Sequence, residues 1–218
     1  MTSGTWKLHT ASTLLCLILP CLASAAEVDP LALVTGLKRD LPARTSYVEV
    51  RFSHMYDRAL VAYGALEYLG PGKLGKRVDK PYEETTTIAD GQVTVQRGTR
   101  KPRKISLDRV PELEGFLRGF SALLGGDAVA LERDFELTGS GDKDQWQLRL
   151  SPKDKRLKKH IAALRVDGAA DKARCFSIID ADDDVSILMV EQLATAALPD
   201  PLTQKNVEQA CQSGVAQQ

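Results

Sequence analysis

The sequence holds few of the residues that carry chemistry. Its 218 residues include four cysteines and three histidines, and no histidine has a cysteine or second histidine at ligand spacing, which argues against a zinc site. Lys plus Arg and Asp plus Glu are balanced at 29 each, so the cationic excess of a nucleic-acid footprint is missing. No apolar run approaches the roughly 20 residues that cross a bilayer. There is no internal repeat and no long low-complexity run. The best-patterned stretch, Tyr47 to Val95, contains no catalytic-looking cluster. A chain that spends such residues on building a sheet is expected to bind something, not convert it.

What is present begins with an export signal. Lys7 and His9 form a weak basic region, Leu14 to Leu22 an apolar one interrupted by Pro20, and Ala23-Ser24-Ala25 the small residues of a cleavage site. Residues 1–25 are expected to be removed, leaving Ala26 near the mature start and a periplasmic destination. The competing readings are a retained anchor, for which the run is short, and a lipid-modified N-terminus, for which Cys21 wrongly follows Pro20. Cys16 and Cys21 leave with the signal. Cys175 and Cys211 remain, either as one disulfide in an oxidising compartment or as two free thiols; spacing does not decide. Roughly 190 residues suit one domain, expected over 26–193, followed by a tail over 194–218 with a short helix possible within Thr203 to Cys211.

The periodicity predicts a sheet with few helices. Asp29-Pro30 opens a short helix with Leu31, Val34, Leu37 and Leu41 on one face, stopped at Pro42. Val48, Val50 and Phe52 then alternate with Tyr47, Glu49 and Arg51. Leu60 to Leu69 continues extended, and Thr85 to Ile88 and Val93 to Val95 flank the tight turn Asp90-Gly91. Val110, Leu113, Phe116, Leu117, Phe120, Leu123 and Leu124 recur at helical spacing between Pro111 and Gly125-Gly126, with Gly115 and Gly119 leaving a smooth side. A second helical turn is expected from Asp127 to Glu132. Sheet returns at Phe135 and Leu137, Trp146 to Leu150, Ala162 to Val166, Arg174 to Asp180 and Val185 to Glu191. The total is about ten antiparallel strands: a mainly β, α+β fold.

The clusters that look chemical have plainer readings. Asp180, Asp182, Asp183 and Asp184 lack the glycine and closing glutamate of an EF-hand and read as a solvated hairpin turn. Gly139-Ser140-Gly141 lies between strands, not at a strand-to-helix elbow, and reads as a turn. His54 and His160 stand in unrelated settings. A lipid-processing enzyme would have to bring Glu49, His54, Asp57, Glu83 and Glu84 together, and nothing in their spacing does so. Three basic segments read as loops: Lys73, Lys76, Arg77 and Lys80; Arg97, Arg100, Lys101, Arg103 and Lys104; Lys153, Lys155, Arg156, Lys158 and Lys159. They are solvated connections, or else a docking face for an acidic partner or membrane surface.

About ten strands in one sheet twist and curl. One or two short helices on the concave side would then not fill it, and an apolar cavity is expected. Its candidate lining is Phe52, Leu66, Tyr68, Val95, Phe116, Phe120, Trp146 and Leu148.

The order of elements resembles a known family. It runs from an export signal and a helix to Tyr47-Val48-Glu49, Gly64-x-Leu66-x-Tyr68-x-x-Pro71, Lys80-Pro81 with Glu83 and Glu84, and Asp90-Gly91. After these come the helix Pro111 to Leu124, the strand Trp146 to Leu150 with Ser151-Pro152-Lys153, and a late hairpin. Over roughly Asp29 to Glu191 this is similar to the periplasmic outer-membrane lipoprotein carriers, the LolA-like proteins. The resemblance implies an unclosed antiparallel half-barrel with short helices as a lid over its concave face, a hydrophobic cavity in which acyl chains travel, no catalysis and no cofactor. It also implies a monomer that meets an inner-membrane exporter or an outer-membrane acceptor. The carriers have an arginine before the proline that ends the second strand, fastening the lid; this chain has Gly70 before Pro71. That departure looks closer to a divergent branch, whose cargo would be a lipid or acylated pigment as readily as a lipoprotein. The alternative function is a non-catalytic envelope interaction module with a fully packed sheet.

Overall fold

The computed structural model describes Met1 and residues 28–215. The expected export signal, apart from Met1, lies outside the described residues. The chain runs α1 (Pro30–Gly36), β1 (Ala43–Phe52), β2 (Leu60–Gly70), β3 (Lys73–Lys80), β4 (Glu84–Ala89), β5 (Gln92–Arg97), β6 (Arg103–Ser106), α2 (Pro111–Gly125) and α3 (Ala128–Asp134). It continues β7 (Phe135–Gly141), β8 (Trp146–Pro152), β9 (Ile161–Ala169), β10 (Lys172–Asp180), β11 (Val185–Val190) and α4 (Gln204–Ser213).

All eleven strands form one antiparallel sheet in the order β6-β5-β4-β3-β2-β1-β11-β10-β9-β8-β7. Two meanders are joined where β1 pairs β11, Tyr47 opposite Val190 and Phe52 opposite Val185. Strands β6 and β7 are the two edges and do not pair, so the sheet is an unclosed half-barrel. The chain passes from one edge to the other through α2 and α3, and a segment that links opposite edges must cross a face of the sheet. Topology requires the crossing, and the packing of Leu123 and Leu131 on Trp146, Leu148 and Leu150 shows that it runs over the inner face.

Local signals set these helices. The Asp29 side chain accepts from the Leu31 amide and Pro30 takes the first position of α1. Helix α2 starts at Pro111 and stops at Gly126, whose φ of 68° is left-handed. Asp127 then caps α3 by accepting from the Ala130 amide. Helix α1 ends at Gly36, earlier than the run to Leu41 suggests.

Two of the three basic segments expected as loops contain strands, β3 and β6, which with the nine segments named from the sequence make eleven. In β3 the sequence Lys-Leu-Gly-Lys-Arg-Val-Asp-Lys alternates only in Leu74 and Val78. Lysine and arginine at four of the remaining positions, with Gly75 and Asp79 at the others, hide the period.

The sheet has a core on each face. On the inner face Val34 and Leu37 of the α1 region, Leu123 of α2 and Leu131 of α3 pack on Trp146, Leu148, Leu150, Leu164 and Val166. On the outer face Val48, Val50, Ile187 and Met189 are covered by Val207, Ala210 and Cys211 of α4, with Phe52 against the cluster. Strand β11 is buried on nearly every residue because both faces are covered there. The segment after Leu193, expected as a tail, thus supplies the lid of the second core. Cys175 on β10 and Cys211 on α4 are joined by a disulfide with Cα atoms 5.6 Å apart.

Candidate functional site: a cavity between the sheet and α2

The inner face is divided. Strands β7 to β9 are packed by the three helices, whereas in front of β1 to β4 and β10 to β11 a cavity of about 510 Å³ remains. Register explains its wall. Ala43, Tyr68, Leu74 and Ile88 stand in one cross-strand row, and Thr45, Leu66, Lys76 and Thr86 in the next. All eight line the cavity. Directly paired residues in an antiparallel sheet share a face, so these rows form a continuous wall. Phe176, paired with Val166 and Leu188, forms the opposite side. The roof is α2, through Phe116, Leu117, Phe120 and Leu124. Phe116 and Phe120 stack with centroids 6.2 Å apart, and Phe120 meets Phe176 edge-on at 5.7 Å, a favoured aromatic geometry.

One end of the wall is polar. The Lys76 ammonium lies 2.5 Å from a Glu49 carboxylate oxygen and 5.3 Å from the centroid of the Tyr47 ring. Tyr47 lies beside Gly64 of β2, where any side chain would collide with the Arg77 carbonyl and press on the ring. The Tyr47 hydroxyl is buried without a hydrogen-bond partner, and burial, with Glu49 nearby, pushes the phenol well above its ordinary pKa. At the mouth Arg44 pairs with Glu67 at 3.3 Å.

On the cavity side the roof is tied to the β2–β3 turn at one point. Gly70 and Gly72 have φ of 128° and 70°, a turn that glycine accepts without strain. The turn aims the Gly72 amide at α2, where it donates to the Ser121 Oγ at 2.9 Å. This tether stands at Gly70-Pro71-Gly72, where the resemblance expects an arginine.

Of the eight residues the sequence nominated, Leu66, Tyr68, Phe116 and Phe120 line the cavity. The other four do not. Phe52 belongs to the outer core; on β1 the inward set is Thr45, Tyr47 and Glu49, and a choice one residue off moves a side chain to the other face. Trp146 and Leu148 are on the inner face but packed under the helices. Val95 pairs with the lining residue Thr86 yet stands one strand further out. Leu74, Ile88, Phe176, Leu188 and Val190 were not nominated. The row partners of Leu66 and Tyr68 would have identified the first two had β3 been recognised as a strand.

Three of the groups that could have formed a catalytic centre have separate partners. Glu49 holds Lys76, Glu84 pairs with Arg97 at 2.9 Å, and His54 pairs with Asp184 at 2.9 Å. Asp180, in the acidic turn, accepts from the amides of Asp182 and Asp184 through its own carboxylate. Among the described residues no group of three or more His, Cys, Asp or Glu could hold a metal ion, and no helix is long and apolar enough to cross a membrane.

None of the curated proteins matches the chain. Among solved structures it is similar to a LolA superfamily protein from Nitrosomonas europaea, at 12% identity and a TM-score of 0.42, covering 81% of this chain and 96% of that one. It is also similar to a domain described as an outer membrane lipoprotein-sorting protein from Vibrio parahaemolyticus, at 14% identity and a TM-score of 0.40, covering 81% and 97%. A third is LprF from Mycobacterium bovis, at 11% identity and a TM-score of 0.34, covering 79% and 96%. These likenesses are weak, and the assignment rests on the family match: over residues 22–213 the chain matches the model of outer membrane lipoprotein carrier protein LolA-like proteins, and it belongs to that family.

Proposed function

We propose that the protein is a periplasmic carrier, a chaperone for a hydrophobic or acylated cargo such as a lipoprotein, lipid or acylated pigment, which it moves toward the outer membrane. The observation that carries this reading is the apolar cavity of about 510 Å³ beneath α2 in a chain of the carrier family. Each buried methylene of an acyl chain contributes about 0.8 kcal/mol, so a dozen of them hold a cargo in water without a covalent bond. Release needs the roof to move. Helix α2 is amphipathic and is joined to the β2–β3 turn through one hydrogen bond, so its cavity side can swing away about the packed Gly119 and Leu123 while the sheet stays folded.

The reading involves no catalysis and no cofactor. Its partners are the cargo and an inner-membrane exporter or outer-membrane acceptor, with no nucleic acid, and the carrier works as a monomer. The alternative of an interaction module with a fully packed sheet is less favoured, because the inner face over β1 to β4 is not packed. Uptake of a fluorescent acyl-chain probe separates the two. The carrier binds the probe, and Phe116→Asp or Phe120→Asp lowers the affinity at least tenfold. No uptake by the wild type, or no response to either substitution, rejects the carrier.

A further inference from the structure

Inside the mouth, the β1 to β4 wall of the cavity is apolar apart from Thr45, Thr86 and the pair Glu49 and Lys76, and this pair has a consequence for the cargo. The two side chains are 19% and 35% exposed. Lys76 reaches Glu49 across the Tyr47 ring because Gly64, between them on β2, has no side chain. The pair is neutral as a unit, yet one carboxylate oxygen and two ammonium hydrogens remain for a partner. Cargo that fills the cavity removes the water on these groups. A hydrocarbon end would leave them unsatisfied, and a charged end would bury a net charge beside a pair that already cancels. The mouth adds no cationic excess, since Arg39 and Arg44 face Asp40, Glu67 and Glu191.

Resting on the carrier reading, we propose that Glu49 and Lys76 read the head of an acylated amphiphile, and that the head is neutral and both donates and accepts hydrogen bonds, as an amide or a hydroxy ester does. Lys76 donates to the head's carbonyl and Glu49 accepts from its N–H or O–H.

Displacement of a neutral environment-sensitive dye by monomyristoylglycerol and by myristate tests this. The two ligands share a chain and differ in the charge of the head. The wild type is expected to prefer the monoglyceride at least tenfold. Glu49→Gln leaves Lys76 unpaired and is expected to shift the ratio at least tenfold toward myristate. Lys76→Met leaves the carboxylate alone and shifts it the other way. A merely structural pair would not move the ratio in opposite directions. Equal or tighter binding of myristate by the wild type, or a ratio unchanged in both variants, overturns the head-reading role while dye uptake leaves the carrier standing. Failure of the wild type to take up dye or ligand overturns both.

Discussion

Gly115 and Gly119 lie one turn apart on α2, and their surroundings give them opposite roles. A methyl group at Gly119 would run into the Phe135 ring of β7, whereas at Gly115 it would meet only the end of the Arg118 side chain, 3.9 Å away. Gly119 is therefore the close-approach point at which α2 settles on the sheet edge. Gly119→Ala is expected to cost about 1–3 kcal/mol, as overpacking does. Gly115→Ala is expected to stabilise by up to about 1 kcal/mol, the propensity difference in a helix. Urea unfolding of the two variants checks the contrast; equal effects would place the contact elsewhere. A second residue-scale expectation concerns His54. Asp184 hydrogen-bonds its ring and raises its pKa, while Ser53 and His54 hydrogen-bond Asp184 and hold its carboxyl down to about 2. A raised histidine contributes stability below its unfolded pKa and loses it as pH rises through the folded value. A depressed carboxylate contributes above its unfolded pKa and loses it on acidification. The pair therefore stabilises most between about pH 4 and 6.5. An NMR titration should place the His54 midpoint above 6.5, and Asp184→Asn should bring it down; an unshifted midpoint in the wild type would mean that the pair does not form in solution.

Two elements cover the sheet from opposite sides, and they are fastened differently. On the inside, α2 is held to the β2–β3 turn by the Gly72 amide on Ser121. Ser121→Ala is expected to weaken that hold by about 1 kcal/mol, the net worth of one hydrogen bond. Amide exchange in α2 should rise severalfold while β1 and β11 keep their protection; uniform exchange throughout would argue that α2 does not open separately. On the outside, α4 is fixed by the Cys175–Cys211 disulfide and by Arg165, which reaches Glu208 at 3.1 Å. The disulfide spans 36 residues, for which loop closure predicts about 3–4 kcal/mol. The Cys175→Ser, Cys211→Ser double variant should lose about that much in denaturant unfolding yet keep the affinity for an acyl probe, because α4 lies behind the sheet. Loss of affinity at unchanged stability would contradict this division of labour.

At the scale of the molecule, much of the architecture is legible in the sequence. Proline and glycine bracket α2, Asp90-Gly91 marks a hairpin, and the period of two in Trp146 to Leu150 marks a strand. The resemblance supplies the half-barrel that these elements build. The cavity is only half legible, for physical reasons. Phe116 and Phe120 belong to the one apolar stripe of α2, and Leu66 and Tyr68 flank Glu67, whose charge marks the other face of β2, so their direction is readable from the sequence. Phe52 belongs to the apolar set of β1, but that set faces the outer core and the set with Thr45 and Glu49 faces the cavity, so the alternation there points away from the site. The cause is the second core beneath α4, whose helix is short and whose anchoring cysteine has no partner visible in spacing. Lysines and arginines hide β3, and with it the Lys76 that meets Glu49 inside the wall.

The central claim is that the space beneath α2 holds an acyl chain. Mass spectrometry of lipids extracted from protein purified out of the periplasm tests it most directly, with the wild type beside a folded Phe120→Asp variant. About one acyl-bearing molecule per chain on the wild type, and a loss of at least tenfold on the variant, is the predicted result. Equal amounts on both proteins, or none on the wild type, would contradict it.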